Sequence, residues 1–144
     1  MTKGAAMRFP ADPQCLRRIR SDVRERAAGL GAAQGSCDAL SLVVDELVNN
    51  AIEHGAVYRR KGVELSVAIG EDQGRITIDF VDPEMPDDLV RDLARALRDA
   101  AGGMPTLDSE RGRGLFLVAI YMEEVRVDVA QGGGLHLHGR LAAS

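Results

Sequence analysis

The chain has 144 residues, with 18 Lys and Arg against 22 Asp and Glu and a formal net charge of −4. This length suits one domain with a single hydrophobic core rather than two domains. A negative balance argues against a general nucleic-acid coat protein, which needs net positive charge to release counterions. With 3% aromatic residues and no Trp, base-stacking and carbohydrate-binding platforms are also disfavoured.

The sequence carries no targeting signal that we can identify. It has no run of about 18 apolar residues, so we predict no membrane span, and residues 1–10 lack the apolar segment of a secretory signal. Cys15 and Cys37 are the only cysteines, which indicates neither a disulfide framework nor a structural zinc site. We therefore expect a cytoplasmic protein with both thiols reduced.

The first half of the chain shows helical periodicity after a short extended start that ends at Pro10. A first apolar stripe predicts a helix that ends near residues 29–31, and a second predicts a helix from about Ser36 with Gly55 as its C-terminal residue. The first stripe is Leu16, Ile19, Val23 and Ala27, and the second is Leu40, Val43, Val44, Leu47, Val48 and Ala51.

The second half begins with period-two alternation. Residues 63–69 and 76–80 alternate around a short turn and predict an antiparallel hairpin. Two further helices and two strands follow: a helix with the stripe Leu89, Leu93, Leu97 and Ala100, a helix over about 114–122, and strands near 125–129 and 135–141. We predict a single α+β domain over residues 1–144, a two-layer α/β sandwich with a mixed, mostly antiparallel sheet covered by helices on one face.

The most informative stretch is residues 45–55, in the second predicted helix. Glu46 and Asn50 are four residues apart, so they project from the same side of the helix, beside its apolar stripe. A carboxylate can orient or deprotonate a nucleophile, and an amide oxygen is a good ligand for Mg²⁺. From the spacing alone, an ordinary amphipathic helix with polar flanks is the simpler explanation.

Two further signals are weak when taken separately. The segment Arg111-Gly112-Arg113-Gly114 stands at the start of the fourth predicted helix, where glycine permits close backbone approach and free N–H groups can bind an anion. A plain N-terminal turn explains that segment equally well. Asp82 ends a predicted strand and precedes Pro83, where it can simply cap a turn.

Taken in order, these elements resemble the GHKL, or Bergerat-fold, ATPases, and in particular the small bacterial anti-sigma factor serine/threonine kinases. Residues 46–55 resemble the family's N-box, with its Glu-x-x-x-Asn-Ala-x-x-His-Gly pattern. Residues 112–118 resemble its second glycine box. The resemblance covers nearly the whole chain and implies ATP and Mg²⁺ as cofactors.

The resemblance also implies roles for individual residues. Asn50 would coordinate the Mg²⁺ that bridges the phosphates, and Glu46 would be the catalytic base or orient the attacking group. Asp82 would accept a hydrogen bond from the adenine amino group. Phosphoryl transfer depends on positioning and charge neutralisation, so this short set is chemically sufficient.

The same resemblance assigns the segment before the fourth helix. Residues 101–111 would form the ATP lid, and Gly112 and Gly114 would shape its phosphate-facing end. Arg113 would add positive charge to the cofactor site, and Arg111 is the candidate stabiliser of charge on the transferred phosphate.

One departure from the family pattern leaves two functions open. The first glycine box has no glycine here and reads Asp82-Pro83-Glu84-Met85-Pro86. The first function is a kinase that phosphorylates an anti-sigma factor antagonist and sequesters a sigma factor. The alternative is a catalytically degenerate module that controls a sigma factor or signalling partner by contact alone. A detached sensor-kinase domain ranks last, since residues 1–12 are too few for a phospho-acceptor helix.

Three expectations concern the surface. Arg17, Arg20 and Arg24 share a face of the first helix, which would suit an acidic partner. The family's kinases commonly dimerise and bind sigma factor through this surface, so the resemblance implies a homodimer with such a partner, without direct binding to nucleic acid or membrane. The segment 58–61, Tyr-Arg-Arg-Lys, is interpreted as a solvated basic loop. His136 and His138 alternate on the last strand, where a solvated or helix-packed pair is favoured over a metal site.

Overall fold

The computed structural model describes residues 5–102 and 110–144, which form five strands and four α-helices. In chain order these are β1 (Met7–Phe9), a short 3₁₀ turn (Pro13–Cys15), α1 (Leu16–Gly29), α2 (Gln34–Tyr58), β2 (Leu65–Asp72), β3 (Arg75–Asp82), α3 (Asp87–Ala101), α4 (Glu110–Tyr121), β4 (Glu124–Val129) and β5 (Leu135–Ala142). The predicted α+β class is confirmed.

The strands form one sheet in the order β1-β2-β3-β5-β4, and each of these neighbouring pairs is antiparallel. After β3 the chain crosses through α3 and α4 before it returns to the sheet, so β5 lies between β3 and β4. The register places apolar residues in one row across all five strands: Met7, Val67, Phe80, Leu137 and Val127. This row belongs to the helix-covered face.

The hydrophobic core lies between that face and the helices. Alternate residues of β2, β3 and β5 are buried there, which is the burial pattern expected of a sheet covered on one side. They meet the buried stripes of α1 (Ile19, Val23 and Ala27), α2 (Leu40, Val44, Leu47 and Val48 among others) and α3 (Val90, Leu93, Leu97 and Ala100). The predicted two-layer arrangement follows from these two matching periodicities.

The other face of the sheet holds a hydrogen-bonded cluster. The Asp79 Oδ1 atom lies 2.8 Å from His136 Nε2 and 2.9 Å from His138 Nδ1. Burial opposes ionisation of this carboxyl, but the hydrogen bonds from His138 and His136 prevail and lower the pKa of Asp79. The two histidines are therefore partners of a carboxylate, and their side chains remain 39% and 24% exposed.

The predicted end of α2 at Gly55 is wrong. The helix continues to Tyr58, and Gly55 is buried within it. A Cβ atom at this position would lie 2.7 Å from Nη2 of Arg59, so the glycine provides close approach for that side chain. The predicted start of α4 near Gly114 is also displaced, because the helix begins at Glu110.

The basic face predicted on α1 is partly neutralised by α2. Arg20 Nη1 lies 2.9 Å from Asp45 Oδ1, and Arg24 Nε lies 3.2 Å from Asp38 Oδ1. These two arginines therefore connect the helices, while their side chains stay 40% and 51% exposed, as the shared face predicted. Arg17 remains exposed on the same helix.

Two observations bear on the cellular setting. Across residues 5–102 and 110–144, no helix combines the length and apolar character that a membrane crossing requires. Cys15 and Cys37 are both free thiols, the second of them buried.

Candidate functional site

The first part of the candidate site lies where α4 packs on α2. Glu46 and Asn50 are both partly buried on α2, one turn apart. Gly114 of α4 is buried, and a Cβ atom there would collide with the Glu46 carboxylate. The absence of a side chain at Gly114 therefore lets α4 sit directly on Glu46. We call Glu46, Asn50 and Gly114 the helix end of the site.

The electrostatics of the helix end favour proton uptake at Glu46. Burial raises the pKa of this carboxyl, and the negative charges of Asp45 and Glu53 raise it further. A carboxyl whose pKa lies above its ordinary value is better matched to accepting a proton near neutral pH. This is the property required of the general base that the sequence assigned to Glu46.

Three other predicted residues belong to the start of α4. Arg111, Gly112 and Arg113 lie in its first turn, immediately before Gly114. The helix thus brings this segment to the helix end of the site, and the roles assigned to its side chains stay predictions. Of the predicted lid, residues 103–109 lie outside the described part of the structure.

The second part of the site surrounds Asp82, which is fully buried at the end of β3. Its Oδ2 atom accepts hydrogen bonds from Tyr58 Oη at 2.6 Å and Arg59 Nη2 at 2.9 Å. Its Oδ1 atom accepts from Arg59 Nη1 at 3.1 Å and from the backbone N–H of Glu84 at 3.2 Å. An ionised carboxylate offers about four lone-pair positions, so all of them are used.

Arg59 is the central residue of this second part. Its side chain is only 14% exposed, and its Nη2 atom also donates to the Ala51 carbonyl oxygen at 3.2 Å. The guanidinium carbon lies 5.2 Å from the centroid of the Tyr58 ring. The interpretation of the 58–61 segment as solvated is therefore wrong for its first two residues. Burial raises the pKa of Tyr58, and the hydrogen bond to Asp82 raises it further.

Glu84 secures the loop that carries Arg59. Its Oε2 atom accepts from the backbone N–H groups of Arg60 at 2.7 Å and Lys61 at 3.0 Å, and its Oε1 atom accepts from that of Val63 at 2.7 Å. Hydrogen bonds from Lys61 and Arg60 lower the pKa of Glu84 to about 2. We call Tyr58, Arg59, Asp82 and Glu84 the strand end of the site.

The two ends lie along the same helix. The Ala51 carbonyl that binds Arg59 belongs to the residue directly after Asn50. Sequence reasoning found Glu46, Asn50, Asp82 and Gly114, and the structure places them at these two ends. It missed the contacts of Tyr58 and Arg59, for which the only sequence signal was Glu84 at the position of a family glycine.

The fold and the residue set define an ATPase domain of the histidine kinase type. The model of the family described as histidine kinase-like ATPase domain matches residues 9–138. The chain belongs to this family, and the family prediction made from the motifs is confirmed.

Curated relatives carry a more specific name. The chain is 30% identical over 128 residues to the serine-protein kinase RsbW of Bacillus licheniformis, covering 88% of this chain and 78% of that protein. It is 30% identical over 125 residues to the serine-protein kinase RsbW of Bacillus subtilis strain 168, covering 84% of this chain and 75% of that protein. Both relatives are thus protein kinases, the kind of protein that the motifs indicated.

Solved structures support the fold. A chain of the SiaB–SiaC complex from Pseudomonas aeruginosa superposes with a TM-score of 0.71 at 15% identity, covering 95% of this chain and 88% of that chain. The structure of the RsbU and RsbW domains of Rv1364c from Mycobacterium tuberculosis superposes with a TM-score of 0.64 at 18% identity, covering 96% of this chain and 31% of that chain.

The two ends of the site fit a nucleotide unequally. The helix end offers an amide oxygen and a carboxylate beside a helix N-terminus, which suits Mg²⁺ and phosphate. The strand end does not accept an adenine amino group as it stands, because the Asp82 carboxylate already has four donors.

Proposed function

We propose that this chain is an anti-sigma factor-type serine/threonine protein kinase, which uses ATP and Mg²⁺ to phosphorylate an antagonist protein and also sequesters a sigma factor. One observation carries the proposal: α4 packs on α2 with Gly114 against the Glu46 carboxylate, and Asn50 lies one turn further along α2. The similarity to two serine-protein kinases named RsbW gives independent support.

Within this proposal, the chain's own residues divide the work. Asn50 is the Mg²⁺ ligand, and Glu46 accepts or orients the proton of the substrate hydroxyl. Arg111 neutralises phosphate charge, while Gly112, Arg113 and Gly114 bring the start of α4 close to the phosphates. Asp82 contacts the base once some of its present hydrogen-bond donors have been displaced, and no chemical step is assigned to the strand end.

The proposed partners are proteins. We propose a cytoplasmic homodimer that binds an antagonist and a sigma factor, without nucleic-acid or membrane contact. For the predicted acidic partner, Arg17 is the residue to test, since Arg20 and Arg24 already pair with α2. We expect Arg17→Glu to weaken partner capture in a pull-down, and unchanged capture would remove α1 from the interface.

The kinase activity is tested by transfer of label from ATP to the candidate antagonist. Glu46→Gln keeps the size of the side chain and removes its basicity, so we expect transfer to fall by at least about a hundredfold. Glu64→Gln is the matched control, because Glu64 is an exposed carboxylate outside α2 and is not among the charges that raise the pKa of Glu46. Equal transfer by wild type and Glu46→Gln would contradict the assignment.

Mg²⁺-dependent nucleotide binding is tested by calorimetry on Asn50→Ala. We expect this variant to lose the Mg²⁺-dependent part of ATP binding, because the amide oxygen is the proposed ligand. Asn49→Ala is the control, since Asn49 donates instead to Asp45 at 3.3 Å. An equal loss in both variants would show a general effect on α2 rather than a metal ligand.

The contact-only module remains a second candidate, and the strand end favours it. A base-recognition carboxylate that is buried and fully hydrogen-bonded within its own chain suits a protein that works without nucleotide. In this case partner capture would be the same with and without ATP and Mg²⁺, and in Asn50→Ala. A kinase would instead show capture that changes with nucleotide.

A further inference from the structure

The carboxylate at the strand end has no acceptor position left for a ligand. Its four hydrogen bonds come from three residues of its own chain, and Arg59 provides two of them. An exocyclic amino group can bind Asp82 only if it replaces one of these donors. Arg59 supplies both the positive charge and the largest group, so its departure would free the most space.

Besides its hydrogen bonds to Asp82, Arg59 has contacts with other parts of the molecule. Its Nη2 atom donates to the carbonyl of Ala51, and the missing side chain at Gly55 makes room for the guanidinium against α2. The backbone beyond Arg59 is fixed by the three N–H groups that Glu84 accepts. The position of the guanidinium is therefore fixed by its hydrogen bonds to Asp82 and to α2 and by the anchored backbone of the loop that follows it.

We propose that Arg59 is an intramolecular latch on the base-recognition position: its guanidinium occupies the acceptor sites of Asp82 that an adenine-type base needs, so nucleotide binds only after Arg59 has left. The inference rests on the proposed function, because it gives Asp82 the base-recognition role. The released state is a minor one in the free protein, and the apparent affinity is lowered by the fraction of molecules that occupy it.

The position of Arg59 in the chain would allow its side chain to leave Asp82. Arg59 is the first residue after α2, and the residues that follow it, 60–64, are exposed. Its long side chain can leave without any change in the sheet or in α2. Tyr58 and the Glu84 N–H would continue to donate to Asp82. The carboxylate would then have two acceptor positions for a ligand and would keep two of its present hydrogen bonds.

The test is calorimetry of the full chain with ATP and with tripolyphosphate, both with Mg²⁺. We expect Arg59→Ala to bind ATP at least about tenfold more tightly than wild type, which corresponds to about 1.4 kcal/mol. Tripolyphosphate has no base, so its affinity should not rise. Arg60→Ala is the matched control: it removes the same charge from an exposed neighbour whose side chain donates a hydrogen bond to the Arg59 carbonyl and not to Asp82.

A second variant keeps the proposal testable if Arg59→Ala does not fold. Glu84→Ala releases the loop while the side chains of Arg59 and Asp82 stay unchanged. We expect a gain in ATP affinity in the same direction, by about threefold or about 0.7 kcal/mol. As with Arg59→Ala, the gain should be absent for tripolyphosphate.

The outcomes separate the latch from the proposed function. If wild type binds ATP with an Asn50-dependent signal and Arg59→Ala binds equally or more weakly, the latch is overturned while the nucleotide-binding function stands. A gain for tripolyphosphate equal to that for ATP also overturns it, because the effect then lies outside the base position. If no folded variant binds ATP, both the latch and the kinase fail.

Discussion

The helix end and the strand end of the site lie along the same helix, but their carboxylates have opposite electrostatic surroundings. At the helix end, Glu46 is partly buried beside like charges, and its pKa is raised. At the strand end, Asp82 is fully buried beside a cation and two neutral donors, with every acceptor position used. The strand end is therefore closed to a base as it stands, because every acceptor position of Asp82 is used.

The difference teaches that a motif can be present in sequence without being available in structure. Asp82 stands where the family keeps its adenine-binding carboxylate, yet Arg59 and Tyr58 occupy it. At Gly114 the missing side chain leaves room for the Glu46 carboxylate against α4, and the roles of Glu46 and Asn50 stay predictions.

The largest effect is expected at the strand end, on removal of Asp82. Asp82→Ala leaves the Arg59 guanidinium largely buried without its counter-charge, which typically destabilises a protein by about 3–5 kcal/mol. Urea unfolding followed by circular dichroism measures this. Asp128→Ala, on exposed β4, is the control and should stay within about 0.5 kcal/mol of wild type. A small effect at Asp82 would mean that the ion pair is not formed in solution.

At the helix end, Gly114→Ala should disturb the contact between α4 and α2. The added methyl group collides with the flexible end of the Glu46 side chain, which must move aside, so we expect a loss in the lower part of the range of about 1–3 kcal/mol that overpacking costs. Gly35→Ala, in the first turn of α2, has open space around its Cβ position and should be neutral or stabilising. Equal stability of Gly114→Ala and wild type would show that the Glu46 side chain moves aside freely and does not hold α4 in place.

A smaller effect at the strand end is expected for Tyr58→Phe. The change removes one of the four hydrogen bonds of Asp82 and keeps the ring near Arg59, so we expect a loss of about 1.5 kcal/mol. Tyr121→Phe, at an exposed position of α4, is the matched control. If both variants have the same unfolding midpoint as wild type, the Tyr58 hydroxyl does not stabilise the carboxylate.

The pH dependence of stability should have opposite signs at the two ends. The pKa of Glu84 falls from 4.5 to about 2 on folding, so its stabilisation is complete above pH 4.5 and is lost as pH falls toward 2. The pKa of Glu46 is raised, so the stability linked to it is present below 4.5 and is lost as pH rises through the folded value.

Matched amide variants separate these two contributions. Glu84→Gln should lose the acid-side dependence and be less stable than wild type at neutral pH. Glu46→Gln should be more stable than wild type at neutral pH, as is common when a functional carboxylate is replaced. Thermal unfolding between pH 2 and pH 7 measures both. A shift of the same sign in the two variants would contradict the contrast between the ends.

Most of the secondary structure could be predicted because it depends on local periodicity. The stripe in α1 and the alternation in β2 and β3 follow from which residues one face must bury. The two boundary errors, at Gly55 and at Gly114, have a common cause. Each glycine was interpreted as helix punctuation, whereas each lies inside a helix at a close contact with a side chain, Gly55 with Arg59 four residues later and Gly114 with Glu46 of α2.

The sequence by itself determined the family, the α+β class and the residues Glu46, Asn50 and Asp82, because helical spacing and motif order are properties of the chain alone. Only the tertiary structure decided whether those residues are available. Arg59 lies 23 positions before Asp82, and Glu84 reaches back 21 to 24 positions to Val63 and Arg60. Whether such distant groups neutralise each other depends on how β3 packs beside the end of α2, and no local pattern records that packing.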